Sequence, residues 1–566
     1  MLQKLATIGK ACREQDPITS YVSQLSDNVT KWYAIDLAGP NDPAPRFSVG
    51  DRYIDQPRMF LYKHKKGNFK TSPGPSILLS GNPPKKKKGI IVEDDEERLD
   101  KLIRFFEGTP LEQALVRSRD ALAEQLLATP KEERKMSLLT VRLDGKFPYD
   151  VPFIRDTFLR NIEGSSDQKD ASAVCCICNA RCPPDPKIDK VLKCATLDKL
   201  GFVPDMSKKN LWRAYSLCPE CFTDLSRGRQ VIEKSLSFSI PGKLTLWIIP
   251  EVGEERAKKV IENILARAVE EKDLAFFKNF AQAERLIQRI LAEQQAHYDF
   301  VFIQKSQNAE KIVLQVTEVS PTRLSLLARS AAAVQEEKPF TWTFAPGIGT
   351  LFWLFGKPGK KFKGYKPFLE AVGAVYTGDR IDSSVFHGYT MQRLRGELYE
   401  SKSWDDFRQS IWKSGAMYLY LMLIGVIRGE TAMEPSHTSI LNEEWKKALF
   451  FEGVMTGALL EHQRGRKESG NMPFLKKLRG LRMEQKDFLG LMPELVLKFH
   501  QYQEYDDDVA SLHEKASQAF LNAGDWRASI DEMNFVFTLG MGLYRTYYFK
   551  KEDSNGNENG NDQKPQ

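Results

Sequence analysis

VCCICNARC (residues 174–182) and LCPECF (residues 217–222) carry two C-x-x-C pairs, Cys175 with Cys178 and Cys218 with Cys221, separated by 39 residues. Each short turn presents two sulfurs to one side, so the two turns together place four thiolates where a tetrahedral Zn²⁺ collects them. Cys176, Cys182 and Cys194 compete for places in the set. Cys175 is preferred to Cys176 because it restores the two-residue spacing to Cys178, whereas Cys218 and Cys221 have no local rival. The plain alternative is a group of buried free cysteines. A closed four-sulfur site leaves no position for water, so the expected Zn²⁺ is structural: it ties chain segments together and does not catalyse.

Seven of the eight cysteines fall between positions 175 and 221, a clustering that a disulfide framework of this size has no use for. The first residues, MLQKLATIGKACREQDP, lack the apolar core and small-residue cleavage site of a secretory signal. Both features predict a reducing, cytoplasmic setting. The longest apolar run, GAMYLYLMLIGVI (residues 415–427), is shorter than the roughly 20 residues that cross a bilayer and predicts a buried helix, with no membrane partner.

At 566 residues and 42% hydrophobic content the chain supports several cores. Lys and Arg number 82 against 75 Asp and Glu, a mild basic excess that permits a polyanionic partner. The order of patterns predicts an α+β, multidomain protein: a mixed sheet with helical insertions and a zinc knuckle, followed by a C-terminal antiparallel helical bundle. Residues 1–160 form an N-terminal α+β region, with short strands and loops to about 80 and helical spacing over 96–133. Residues 161–235 are the knuckle insertion, preceded by the polar linker NIEGSSDQKDASA (161–173).

The α+β body resumes over 236–388. LSFSIPGKLTLWIIPE (236–251) alternates around Pro241 and Gly242 as a hairpin does, two amphipathic helical patterns span 254–295, and YDFVFIQ (298–304) and KIVLQVTEV (311–319) read as strands. Residues 389–551 are almost wholly helical, with short connections that imply antiparallel neighbours. The tail 552–566 has no apolar anchor and is predicted disordered. No internal repeat is present.

Three basic constellations are candidates for nucleic-acid contact. Lys85, Lys86, Lys87 and Lys88 precede the acidic run at 93–97; they read either as a solvated hairpin tip or linker whose charges partly cancel, or as a basic loop that meets phosphate. GKPGKKFKGYK (356–366) interleaves Lys357, Lys360, Lys361, Lys363 and Lys366 with Phe362 and Tyr365, pairing charges for phosphates with rings for bases. Its plain alternative is an exposed loop kept soluble by lysine. The third is a band of Arg464, Arg466, Lys467, Lys476, Lys477, Arg479, Arg482 and Lys486 around one loop of the bundle, or else a solvated face.

Evidence for an enzyme is thin. The seven histidines form no H-E-x-x-H, and no G-x-x-x-x-G-K-[ST] loop occurs. A metal-dependent nuclease would need clustered carboxylates or histidines that the sequence does not display.

The order Cys-Ile-Cys, TLDKLGF (196–202), LCPECF with Leu225 and Gly228, and a hairpin ending in Ile248-Ile-Pro250 resembles the large subunit of the type I-B CRISPR Cascade surveillance complex. LFFEG (449–453) with Gly457 and Gln463, and NFVFTLG (534–540), are similar to that family's helical part. The resemblance covers about residues 170–550; the first 150 residues carry no matching motif. It implies a non-enzymatic subunit that contacts the crRNA 5′ handle, the Cascade backbone and handle-binding subunits and target double-stranded DNA. Such a subunit recognises the protospacer-adjacent motif, stabilises the R-loop and helps recruit a separate helicase-nuclease, while guide pairing reads the target. It also implies a small subunit like the helical C-terminal part, for which Met391, Met417 and Met433 are candidate internal starts. Only the four knuckle cysteines carry over as family positions. The competing class is a free-standing zinc-ribbon nucleic-acid-binding regulator, told apart by whether the chain associates with crRNA-loaded filament subunits.

Overall fold

The computed structural model describes the chain apart from residues 14–17, 19–20, 24, 26–27, 41, 52–56, 64–69, 88–89, 136, 164–172, 185–187, 194–204, 206, 208–209, 211, 271–278, 307–308, 342–344, 357–365, 402, 429–435, 466–471 and 549–566. It divides into two compact units. One comprises Met1–Ser237, Trp247–Glu262 and Gln304–Ile312; the other comprises Phe238–Leu246, Asn263–Ile303 and the chain from Val313.

In the first unit, β1 (Lys31–Leu37) pairs antiparallel with β2 (Arg46–Asp51). After β3 (Ser76–Leu78), β4 (Lys85–Lys87) and β5 (Ile90–Val92), the chain returns in β6 (Leu138–Leu143), parallel to β1 and antiparallel to β3. The sheet order is β2-β1-β6-β3. The two inner strands, KWYAIDL and LLTVRL, are apolar almost throughout and buried, as strands covered on both faces must be. A parallel return needs a long crossover, and it contains the helices Asp94–Phe105 and Arg119–Ala128. The core against this sheet gathers Val29, Trp32, Phe60, Tyr62 and Leu138.

Lys85–Lys87 are strand residues in a small hairpin, β4 against β5. The acidic run beyond it continues into a helix. Asp94, Asp95, Glu96 and Glu97 form the first turn of a helix, where negative charge meets the positive end of the helix dipole. Asp95 is buried, accepting from the backbone N–H groups of Ser80 and Gly81 and from Arg134 Nη1 at 2.7 Å. A run of like charges reads as solvated only until one member finds donors inside.

A second sheet joins β7 (Ala173–Val174) to β8 (Arg181–Cys182), the frame of the first knuckle. A third takes β9 (Ser237–Ile240), β10 (Leu244–Glu251), β11 (His297–Lys305) and β12 (Glu310–Val319) in the order β12-β11-β10-β9. The β9–β10 turn puts Gly242 and Lys243 in the left-handed region, at φ 83° and 58°, which the Pro-Gly signal anticipates at the glycine.

The second unit ends in the expected helical bundle. Helices run Ser383–Glu400, Trp404–Leu423, Glu444–Gly465, Gln485–Tyr502, Asp507–Asn522 and Ile530–Gly542, with side-chain caps from Asp382, Ser403, Asp506 and Ser529 on four of them. The apolar run at 415–427 is the buried C-terminal half of Trp404–Leu423 and the turn after it, where Gly425 reverses the chain at φ 70°. Among the described residues no helix is long and apolar enough to cross a membrane. Met391 and Met417 are fully buried core residues. Met433, the linker segment 164–172 and the tail from 549 lie outside the described residues.

Candidate metal centre

The first knuckle is a tight turn between β7 and β8. Cys175 N–H donates to the Ala180 carbonyl and Asn179 N–H to the Cys175 carbonyl, both at 2.9 Å. Asn179 sits at φ 61°, a left-handed position that Asn tolerates. The second knuckle is a helix start: Cys218 is the N-cap of the helix Pro219–Ser235, Pro219 follows at the first helical position, and the Cys218 sulfur accepts from Cys221 N–H at 3.4 Å. One segment ties the two turns together, since Cys176 N–H donates to the Ser216 carbonyl at 2.9 Å.

These backbone paths bring the sulfurs of Cys175, Cys178, Cys218 and Cys221 within 4.8 Å of one another. Cys178 Sγ and Cys218 Sγ lie 3.8 Å apart. Four sulfurs at about 2.3 Å from a tetrahedral zinc stand about 3.8 Å from each other, so the spacing fits a metal. It is far too long for a disulfide at about 2.05 Å, and all four thiols are free. The choice among neighbouring cysteines follows from the same geometry. Cys182 is buried in β8 and Cys176 is exposed, and neither joins the group; Cys194 lies outside the described residues.

The electrostatics are those of a cation site. Burial pushes the Cys175 thiol up, but backbone N–H groups of Cys178, Cys218 and Ile177 more than offset it and bring it to about 7. Cys218 is pushed up to about 11 and Cys221 further, by burial first and then by the neighbouring thiols. Four sulfurs this close repel a second negative charge until a divalent cation enters among them. With all four positions filled by sulfur, such a centre supplies rigidity.

Two features that sequence reading missed hold the second knuckle's helix. The first is the N-terminal helix Leu2–Ala11, which crosses it at glycines: a Cβ on Gly9 would lie 1.8 Å from the Asp224 carbonyl oxygen, and one on Gly228 1.8 Å from that of Leu5. Arg13 locks the crossing with a fork onto Asp224, at 2.8 and 3.0 Å. The second is Arg229, which donates to the Val191 carbonyl, to Glu233 at 2.9 Å and to Glu310 at 2.6 and 3.0 Å, with its guanidinium over the Trp247 ring. The spacing of Gly9 and Gly228 in otherwise helical stretches was the available signal, but nothing in either stretch names its partner.

Several of the basic candidates stand in ion pairs among the described residues. Arg464 is paired with Asp405 at 2.7 Å and Glu461 at 2.5 Å, Lys477 with Glu494 at 3.1 Å, Arg479 with Asp487 at 2.9 Å and Lys486 with Glu484 at 2.9 Å. Lys476 and Arg482 are exposed. Lys366 opens the helix Lys366–Thr377, 3.6 Å from Glu370. Lys88, Lys357, Lys360, Lys361, Phe362, Lys363, Tyr365, Arg466 and Lys467 lie outside the described residues.

The residues quoted for the helical part are packing residues. A Cβ on Gly453 would lie 2.1 Å from the Phe537 carbonyl oxygen, one on Gly457 2.4 Å from that of Met541, and one on Gly540 2.0 Å from that of Phe450. Gln463 accepts from Phe474 N–H and donates to Tyr502 Oη, and Asn534 bridges both backbone groups of Met483.

Residues 172–319 match the central domain of the CRISPR-associated protein TM1802 (cas_TM1802), and residues 346–555 match its C-terminal domain. Together the matches span more than half of the 566 residues, and the first contains all four clustered cysteines. No curated protein matches the chain.

Proposed function

The chain belongs to the CRISPR-associated protein TM1802 family, and on that premise we propose that it is the large subunit of a crRNA-guided, Cascade-type DNA surveillance complex of type I-B. In that role it binds the crRNA 5′ handle region and the target duplex, recognises the protospacer-adjacent motif, steadies the R-loop and helps recruit a separate helicase-nuclease. Guide pairing reads the target sequence, so the protein has only to read a short motif and hold backbones in place. The observation that carries the reading is the pair of domain matches, one of which spans the four clustered cysteines.

Within this reading Cys175, Cys178, Cys218 and Cys221 hold a structural Zn²⁺. The metal supplies rigidity, while the chain's own residues do the holding: Cys218 caps its helix and Gly9, Gly228 and Asp224 fix that helix against the N-terminal one. Free thiols in this arrangement suit a reducing cytoplasm. The lysine-rich segment 356–366, with Phe362 and Tyr365 for stacking, and Lys85–Lys88 are proposed as nucleic-acid contacts, on charge and stacking alone. Partners are the backbone and handle-binding subunits, crRNA, target DNA and a small subunit like the C-terminal bundle.

The test is target-duplex binding by the guide-loaded filament with and without this chain, using a correct and a scrambled adjacent motif. Binding that requires both the chain and the correct motif is the expected result. A filament that binds equally well without the chain would sink the proposal and favour a free-standing zinc-ribbon regulator.

A further inference from the structure

Of the four clustered cysteines, Cys178 is exposed and Cys218 half-buried, while Cys175 and Cys221 are buried. Cys178 Sγ and Cys218 Sγ face each other from the two knuckles at 3.8 Å. We propose that this pair makes the metal centre a peroxide-sensitive redox switch: Cys178 is the sulfur oxidised, Cys218 closes a disulfide onto it, and the metal is released. The inference rests on the reading of the cluster as a Zn²⁺ site and goes beyond it by giving that site a second state.

Access and backbone geometry select the pair. All four ligands of a bound Zn²⁺ are thiolates, the form that attacks a peroxide, so exposure decides which of them meets it. Cys178 lies in the turn between β7 and β8, and Cys218 is an N-cap in extended conformation, at φ −70° and ψ 156°. Their rivals are held more firmly. Cys175 has its N–H bonded to the Ala180 carbonyl and its carbonyl to Asn179 N–H, and Cys221 sits inside the first turn of Pro219–Ser235. Closing 3.8 Å to the roughly 2.05 Å of a disulfide therefore falls most easily to the turn and the cap. Cys176 is exposed too, but it stands outside the cluster and gains no thiolate character from a metal.

The chemistry balances with a peroxide as the oxidant. The Cys178 thiolate attacks one peroxide oxygen; an S–O bond forms, the O–O bond breaks and hydroxide leaves. The Cys218 thiolate then attacks the Cys178 sulfur; the S–S bond forms, the S–O bond breaks and a second hydroxide leaves. Two thiolates have given two electrons to one peroxide, and only Cys175 and Cys221 remain where four sulfurs held the metal. Half a ligand set does not retain a structural Zn²⁺. The new bond joins the same two segments as the metal, the β7–β8 turn and the start of Pro219–Ser235, so the knuckles stay tied. A dithiol reverses the step by thiol–disulfide exchange and restores the four thiols.

The experiment treats the full-length, zinc-loaded chain with hydrogen peroxide, follows released zinc with a chromogenic chelator and maps disulfides by mass spectrometry. Cys178→His leaves a Cys₃His set that zinc accepts but removes the exposed sulfur, and Cys176→Ser removes the exposed thiol outside the cluster. In the wild type, zinc release should match the formation of a Cys178–Cys218 bond, and zinc should be taken up again after dithiothreitol. Cys178→His should release zinc more slowly, by on the order of tenfold or more, whereas Cys176→Ser should match the wild type. Release from Cys178→His at the wild-type rate overturns the switch, as does a disulfide within one knuckle or a loss of zinc that dithiothreitol does not reverse. The disulfide map of the wild type decides the pair even where Cys178→His fails to load zinc. A wild type that carries no zinc before peroxide overturns the structural-zinc reading itself; one that carries zinc and keeps it in peroxide overturns the switch alone.

Discussion

Cys218 does two jobs with one atom: its sulfur caps a 17-residue helix and stands among three other sulfurs. The double substitution C218S/C221S keeps a capping oxygen but removes two of four thiolates, so metal loss and helix loss can be told apart. If the proposed Zn²⁺ is the occupant, elemental analysis should find one equivalent in the wild type and none in the variant, with local unfolding of the knuckle region. Stoichiometric metal surviving in the variant would refute the ligand set. Glu284 poses a different question. It is buried, and burial pushes its carboxyl up to about 7 against hydrogen bonds from Ile348 N–H at 2.6 Å, Tyr376 Oη at 2.8 Å and Gln288 Nε2 at 3.0 Å. The folded chain thus keeps a proton that the unfolded chain sheds near pH 4.5. Stability should fall as pH rises through the window from about 4.5 to 7, by about 3 kcal/mol in total. Glu284→Gln should flatten that part of a stability–pH profile measured by urea unfolding. A profile with the same slope in the variant would assign the titration elsewhere.

Helices were legible from apolar spacing, and their crossings were not. The motif LFFEG with Gly457 and NFVFTLG is quotable from sequence, yet only the structure shows that these glycines face each other's backbones where Glu444–Gly465 meets Ile530–Gly542. Gly453→Ala and Gly540→Ala each drive a methyl to within 2.1 Å of a carbonyl oxygen, so the helices must separate, at a cost of about 1–3 kcal/mol or more. Gly490, mid-helix in Gln485–Tyr502, has nothing within 4 Å of its Cβ position. Gly490→Ala should therefore stabilise by about 0.5–1 kcal/mol. Opposite signs in thermal melts are the expected result; destabilisation by all three would mean that glycine flexibility, and not close approach, is what the crossing uses. The N-terminal helix Leu2–Ala11 shows the limit of pattern reading. Ten residues are too few to be stable alone, and what holds this helix, Asp224 and Gly228, lies more than 200 positions away.

At the scale of the whole chain, the four sulfurs stabilise a limited neighbourhood, and its extent can be traced contact by contact. The cluster fixes the start of Pro219–Ser235, and that helix fixes Leu2–Ala11 through the Gly9–Gly228 crossing and the Arg13–Asp224 fork. Lys4 with Glu251 at 2.7 Å and Lys10 with Glu254 at 2.6 Å extend the same unit, but as exposed pairs they contribute little. The Glu444–Gly465 and Ile530–Gly542 crossing belongs to the other unit and rests on its own buried core. Removing the metal with a chelator should therefore raise amide hydrogen exchange in graded fashion: most in residues 173–182 and 218–235, clearly in 2–11, and not in 444–465 or 530–542. Exchange that rises everywhere would make the metal a determinant of the entire fold. Exchange confined to the knuckle would show that the glycine crossing holds the N-terminal helix without help, since the helix to which it is docked would have kept its own hydrogen bonds.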